Sequence, residues 1–232
     1  MSSVAENLQQ VLTSMEESCR IAGRATDEVR LMAVSKTKPA ELVAEAVHAG
    51  QCLFGENRVQ ELVQKKPLLP SRLRWHLIGP LQSNKVRKAV QAADRLDAVH
   101  SLEILQDINR IGTELGREVG VLLEVNVAAE ASKHGFGPQQ LDSCFEQILA
   151  MRHVRVEGLM CIPPPVSQVD DARPHFARLR LLRDELQAKW GLPLPELSMG
   201  MSHDFSAAIA EGSTLVRVGS AIFGNRSAVE AS

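Results

Sequence analysis

The sequence predicts an α/β fold: a closed (β/α)8 barrel of the TIM type, preceded by one extra N-terminal helix. Three observations predict it. Short apolar or β-branched runs alternate with helical patterns eight times along 232 residues, the order of a parallel sheet with helical crossovers. Several runs, such as "VGVLLEVNV" and "TLVRVGSAIF", are apolar almost throughout, as strands covered on both faces are. The length suits one such barrel. No Pro-, Gly- or Ser-rich linker divides the chain, so residues 1–232 are expected to form a single domain. A doubly wound open sheet is the competing architecture.

The extra helix is expected over residues 4–22, ahead of the first strand. Strands are expected at 29–36, 52–57, 73–79, 96–101, 119–127, 154–162, 196–202 and 214–223. A helix at 39–49 opens on Pro39 and stops at Gly50, the usual start and stop signals. Segments 84–94 and 102–115 are apolar at helical spacing. Helices at 138–152 and 171–190 and a shorter one at 204–211, closed by Gly212, complete the set. No helix is assigned between the second and third strands. "CIPPP" (161–165) reads as a loop after the sixth strand.

Composition excludes several function classes. The formal net charge is −2, so no basic balance points to nucleic acid. Basic clusters at Lys65-Lys66 and Lys85-Arg87-Lys88 read as solvated helix faces. Cys19, Cys52, Cys144 and Cys161 are far apart and form no CxxC pair, so neither a metal site nor a disulfide framework is expected. Reduced thiols fit a cytoplasmic protein. The N-terminal helix carries Glu6, Glu16 and Glu17 and lacks the basic-then-apolar order of a signal peptide. No apolar run approaches the ~20 residues that span a membrane.

The C-terminal ends of barrel strands converge on one face, where active sites form. The first strand ends in Lys36 within "AVSKTKP", and the second in Glu56 and Asn57. His76 lies in the third, Glu124 and Asn126 end the fifth, and Ser198 and Ser202 fall in the seventh. Each has an ordinary reading: a snorkelling lysine, a turn-capping asparagine, a satisfied core histidine, a polar pair inside the barrel. Their convergence on one face argues for a site.

"MGMS" and "VGS" end strands seven and eight, whose loops often bind phosphate in this architecture. Glycine lets backbone N–H groups approach an anion, and Ser202 and Ser220 add hydroxyl donors. A helix opening just after Ser202 adds a partly positive end. Arg217 sits inside an apolar strand between Val216 and Val218, and a buried guanidinium needs partners. Either Glu124 pairs with it, or it faces a ring nitrogen and keeps that nitrogen unprotonated. A ligand with a phosphate, an aldehyde and a ring nitrogen matches these groups. Pyridoxal 5′-phosphate (PLP), the vitamin B6 cofactor, is one, with Lys36 as the Schiff-base amine. A phosphate-binding barrel for a sugar phosphate is another reading.

Seven segments, "AVSKTKP", "FGENRVQE", "WHLIGPLQSNK", "VNVAAEASKHGF", "GLMCIPPP", "SMGMSHDF" and "GSTLVRVGSAIFG", resemble in order the pyridoxal phosphate homeostasis protein family. The resemblance runs from about residue 29 to residue 226. It implies a single alanine-racemase-like barrel of PLP fold type III that holds PLP covalently on Lys36. It implies phosphate contacts at Ser202, Gly219 and Ser220 with the Met201 backbone nearby, Arg217 at the ring nitrogen, and Asn57 and His76 lining the pocket. Three positions depart from the family pattern: Arg58 stands for a tyrosine, Ser220 for a threonine, and His203 for a smaller or acidic residue.

The resemblance further implies a carrier that supplies or buffers PLP, with apo PLP-dependent enzymes as recipients and no assigned catalytic residues. The alternative is a fold type III racemase or lyase. A racemase needs a base on each face of the carbanion. In the similar alanine racemase the second base is a tyrosine from a β-rich domain, and this chain has no tyrosine. Cys161 or His203 would have to substitute. An arginine at the ring nitrogen disfavours the pyridinium and weakens the electron sink. Without the β-rich domain a monomer is expected. Lys85 and Arg87 offer a possible steering patch for an anion, against the helix-face reading.

Overall fold

The structure, a computed structural model, describes residues 2–130 and 134–224. Part of the "VNVAAEASKHGF" segment (131–133) and the C-terminal residues 225–232 lie outside the described residues, as does Met1.

The strands are β1 (Arg30–Val34), β2 (Leu53–Glu56), β3 (Arg74–Leu77), β4 (Arg95–Val99), β5 (Val119–Glu124), β6 (Val154–Met160), β7 (Glu196–Ser198) and β8 (Leu215–Val218). They are parallel and hydrogen-bonded in chain order, and β8 pairs with β1 from Arg30↔Leu215 to Ala33↔Val218, which closes the barrel. The open-sheet alternative is thereby excluded. Closure leaves no unpaired edge.

The helices are α1 (Val4–Ile21), α2 (Ala40–His48), α3 (Val59–Lys65), α4 (Val86–Ala92), α5 (Leu102–Leu115), α6 (Pro138–Leu149), α7 (Arg173–Trp190), α8 (Phe205–Ala210) and α9 (Ser220–Phe223). Two differ from the sequence reading. α3 fills the connection left without a helix; it is seven residues long and runs into the Pro-containing turn at 66–68, too short for its period to show. The run at 214–223 is not one strand: β8 stops at Val218 and the chain coils into α9. Strands generally end two or three residues before the apolar runs do, because those last residues form the loops of the C-terminal face.

Alternation along each strand divides the core. Leu31, Ala33, Val216 and Val218 face outward into the helix layer, together with Phe54, Trp75 and Leu123. Met32, Val34, Ile78 and Leu215 face the barrel axis, as do Ala98, Leu122 and Met160. α1 packs against α2, α8 and α9. It takes the place in the ring that the short α9 leaves open. Val4, Leu8, Val11, Met15 and Cys19 are its buried stripe, and Asn7 Nδ2 donates to the Ile222 carbonyl at 3.0 Å.

The N-terminal half of the barrel axis is ionic. Arg95 Nε donates to Asp97 Oδ1 at 2.7 Å, and its Nη1 lies 2.9 Å from Glu157 and 3.2 Å from Glu196. Arg30 bonds Glu196 in turn. His76 Nδ1 lies 3.1 Å from Asp97 Oδ2. Burial opposes a charge on Asp97, but His76 and Arg95 outweigh it and hold the carboxyl well below the usual carboxylate range.

Candidate functional site

A cavity of about 630 Å³ opens among the loops at the C-terminal ends of the strands. Its wall includes Lys36 and Thr37 after β1, Asn57 after β2, Ile78 and Gly79 after β3, and Glu124 and Asn126 of the β5 end. Met201, Ser202 and His203 come from the loop after β7, and Arg217, Gly219 and Ser220 from β8 and its turn. Seven of the eight residues expected at the site are therefore brought together.

The eighth, His76, is not. Its ring turns to Asp97 and lines a second cavity of about 600 Å³ with Arg30, Arg95 and Glu157. Arg30 and Arg95 are the first residues of their strands, so that cavity lies at the N-terminal end. Height along the strand is the reason: Ile78, two residues on, shares the inward parity but sits nearer the C-terminal face and reaches the Lys36 cavity.

Arg217 reaches the cavity by the same parity. Leu215, Arg217 and Gly219 alternate inward while Val216 and Val218 join the outer core. Burial pulls the guanidinium below its usual range. Its Nη1 donates to Ser198 Oγ at 2.7 Å and Nη2 to the Cys161 carbonyl at 2.9 Å. Of the two readings of Arg217, a pair with Glu124 is not made by hydrogen bonding; two neutral acceptors hold the plane of the group.

Ser202 and Ser220 meet across the loop, Oγ to Oγ at 3.2 Å. Gly200 stands at φ 96, where a Cβ would meet Ala208 at 2.7 Å. Only glycine lets the β7 loop turn this tightly onto α8. The Met201 N–H is committed to Asp204 Oδ1 at 2.6 Å, so this backbone group serves the loop itself. Gly79 has the other close approach: a Cβ there would lie 2.2 Å from the Asn57 carbonyl. That contact packs the β3 loop against Asn57.

Among the residues that depart from the family pattern, His203 lies on the cavity wall, whereas Arg58 is exposed and does not. Cys161 is also off the wall, and burial pushes its thiol up to about 12, which removes it as a base. Glu124 is on the wall, and burial raises its carboxyl against the pull of His100 and Arg217. His134, whose ring packs tilted against His100 with centroids 5.0 Å apart, and Lys38 are wall residues that the sequence reading did not single out. Lys38 was visible in "SKTKP"; His134 carried no spacing signal. Arg87 is engaged by Glu114 of α5, which supports the helix-face reading of that cluster. Lys65 overturns the same reading of its own cluster, since it is buried.

The chain matches the alanine racemase, N-terminal domain family over residues 11–227. It is 44% identical over 232 residues to the pyridoxal phosphate homeostasis protein of Pseudomonas aeruginosa, covering 97% of each chain. The chain belongs to the pyridoxal phosphate homeostasis protein family. The family member of Aquifex aeolicus is 42% identical over 225 residues, covering 95% of this chain and 97% of that one. The structure of PipY from Synechococcus elongatus PCC7942, with PLP bound, superposes with a TM-score of 0.83 at 39% identity, covering 96% of this chain and 100% of that one. Among the described residues no helix is long and apolar enough to cross a membrane, and no cluster of His, Cys, Asp or Glu is arranged to hold a metal.

Proposed function

We propose that the chain is a PLP-binding barrel domain, residues 1–232, that serves intracellular PLP homeostasis in the cytoplasm by holding the cofactor and releasing it to apo PLP-dependent enzymes. One observation carries the reading: Lys36, Arg217 and the hydrogen-bonded Ser202 and Ser220 all line one cavity. The donor set fits the group. Ser202, Ser220 and the Gly219 turn supply hydroxyl and backbone donors for a phosphate. Arg217, fixed by Ser198 and the Cys161 carbonyl, would face the ring nitrogen and disfavour its protonation. Asn57 and Met201 complete the wall. Lys36 would supply the amine that holds the aldehyde, in a linkage that water can reverse. Reversibility is what a carrier needs. PLP binding in the PipY relative and the names of the curated relatives support the assignment.

The test is an absorbance spectrum with and without borohydride, followed by peptide mapping. A reduced adduct on Lys36, with affinity lowered at least tenfold in Lys36→Ala, is expected. A colourless protein with no trapped adduct overturns the reading and favours a different phosphate ligand.

Glu124 is the observation that favours turnover instead: a carboxyl raised by burial on a cofactor-cavity wall is suited to proton transfer. Alanine or serine incubated in D2O decides between the two. The carrier reading expects no α-deuteration at catalytic rates; exchange lost in both Lys36→Ala and Glu124→Gln would establish a racemase or lyase. A monomer is expected, which light scattering checks.

A further inference from the structure

Below the loop that carries Lys36 lies a buried ammonium outside the cavity wall. Lys65 is the last residue of α3 and only 8% exposed. Its Nζ donates to the Ser35 carbonyl and to Glu56 Oε1, each at 2.7 Å, and reaches Glu61 Oε2 at 3.3 Å. Ser35 Oγ donates to the same Glu56 oxygen at 2.7 Å. Glu61 Oε2 accepts the backbone N–H of Thr37 at 2.7 Å. Both neighbours of Lys36 in the chain are thus tied to one cation, Ser35 directly and Thr37 through Glu61.

The turn so held is a strained one. Thr37 stands at φ 64, a left-handed conformation that is unfavourable for a β-branched residue and persists only where its surroundings impose it. Stability alone does not explain the cluster. Burying an ammonium and a carboxylate is often no better than burying apolar side chains of the same volume. This cluster also leaves Glu56 Oε2 and Thr37 Oγ1 buried without a hydrogen-bond partner. What the ions add is direction: each bond ends on the 35–37 turn or on the carboxylates that grip it.

We propose that Lys65 is a positioning residue for Lys36: through Ser35, Glu56 and Glu61 it fixes the 35–37 turn in the conformation that aims the Lys36 amine into the cavity. The inference rests on the reading of Lys36 as the amine that holds PLP. It assigns a role to α3, which contributes no side chain to the cavity wall.

Two variants test it, Lys65→Met and Glu61→Ala. The latter removes the acceptor of the Thr37 N–H together with the 3.3 Å Lys65–Glu61 contact, and leaves the Lys65–Glu56 and Lys65–Ser35 bonds in place. Hydrogen exchange of the 35–38 segment is measured without ligand, and PLP binding is measured by borohydride trapping at Lys36. Exchange at this turn is expected to rise about tenfold in either variant, and trapping affinity to fall about tenfold, the equivalent of about 1.4 kcal/mol. A purely structural ion would lower the melting temperature without singling out this turn or the trapped fraction. Exchange or trapping within twofold of wild type in a folded variant overturns the proposal. If Lys65→Met does not fold, Glu61→Ala decides by the same criteria. Absence of an adduct in the wild type condemns the PLP reading itself, whereas an adduct unaffected by either variant condemns only the role of Lys65.

Discussion

Asp97 is fully buried and engaged by Arg95 on one side and His76 on the other. Removing its charge would leave the Arg95 guanidinium with Glu157 and Glu196 but without its closest partner. Asp97→Asn is therefore expected to cost about 3–5 kcal/mol, the range for breaking a buried pair, read as a lower midpoint in urea at unchanged slope. Residue identity alone singled out Lys36, Arg217, Ser202 and Ser220 as candidates, because a cation in an apolar run or a hydroxyl beside glycine is a local contradiction, and the fold gathers them on one cavity wall. His76 was singled out by the same logic, and the structure places it beside Asp97 in the other cavity. Its chemistry suits either end of the barrel, and only its height on β3, one inward position below Ile78, decides which cavity the ring lines.

At the scale of elements, caps and alternation did most of the work. Ser101 Oγ accepts the Ile104 N–H at 3.3 Å and starts α5, and Gly116 at φ 60 ends it. Ser101→Ala is expected to cost about 1 kcal/mol and to lower the melting temperature by roughly 2–4 °C for a chain of this size. The signals for α2 and α5 were readable because Pro39 and Gly50 bracket the first and a full amphipathic period runs through the second. α3 and α9 were not, since seven and four residues hold too few turns to show one. The unread α3 nevertheless supplies Lys65, whose charge pattern resembled a solvated face until the fold enclosed it.

For the whole molecule, the ionic axis predicts an acid limb of stability. The folded-state value of Asp97 lies below its unfolded value. Its contribution is therefore complete above the usual ~3.9 and is lost as pH falls through the folded value. Melting temperature is expected to drop below about pH 4 in wild type, and the slope to flatten in Asp97→Asn. Glu56 acts in the opposite sense. Burial raises its carboxyl against the hydrogen bonds from Lys65 and Ser35, so its contribution is complete below the usual ~4.3 and declines as pH rises through the folded value. A steep acid limb that survives Asp97→Asn unchanged would show that other carboxylates govern it.

By itself the sequence determined the alternation of strand and helix, the barrel class, the leading helix, and the chemistry gathered at the strand ends. These follow from local period and from single residues out of keeping with their neighbours. The tertiary structure alone decided that His76 belongs to the N-terminal ion network, that Arg217 is held by Ser198 and Cys161, and that Lys65 lies buried beneath the Lys36 turn. Each of those depends on which groups closure of the barrel brings within about 3 Å, the reach of a hydrogen bond. Residues far apart in the chain carry no mark of such a meeting.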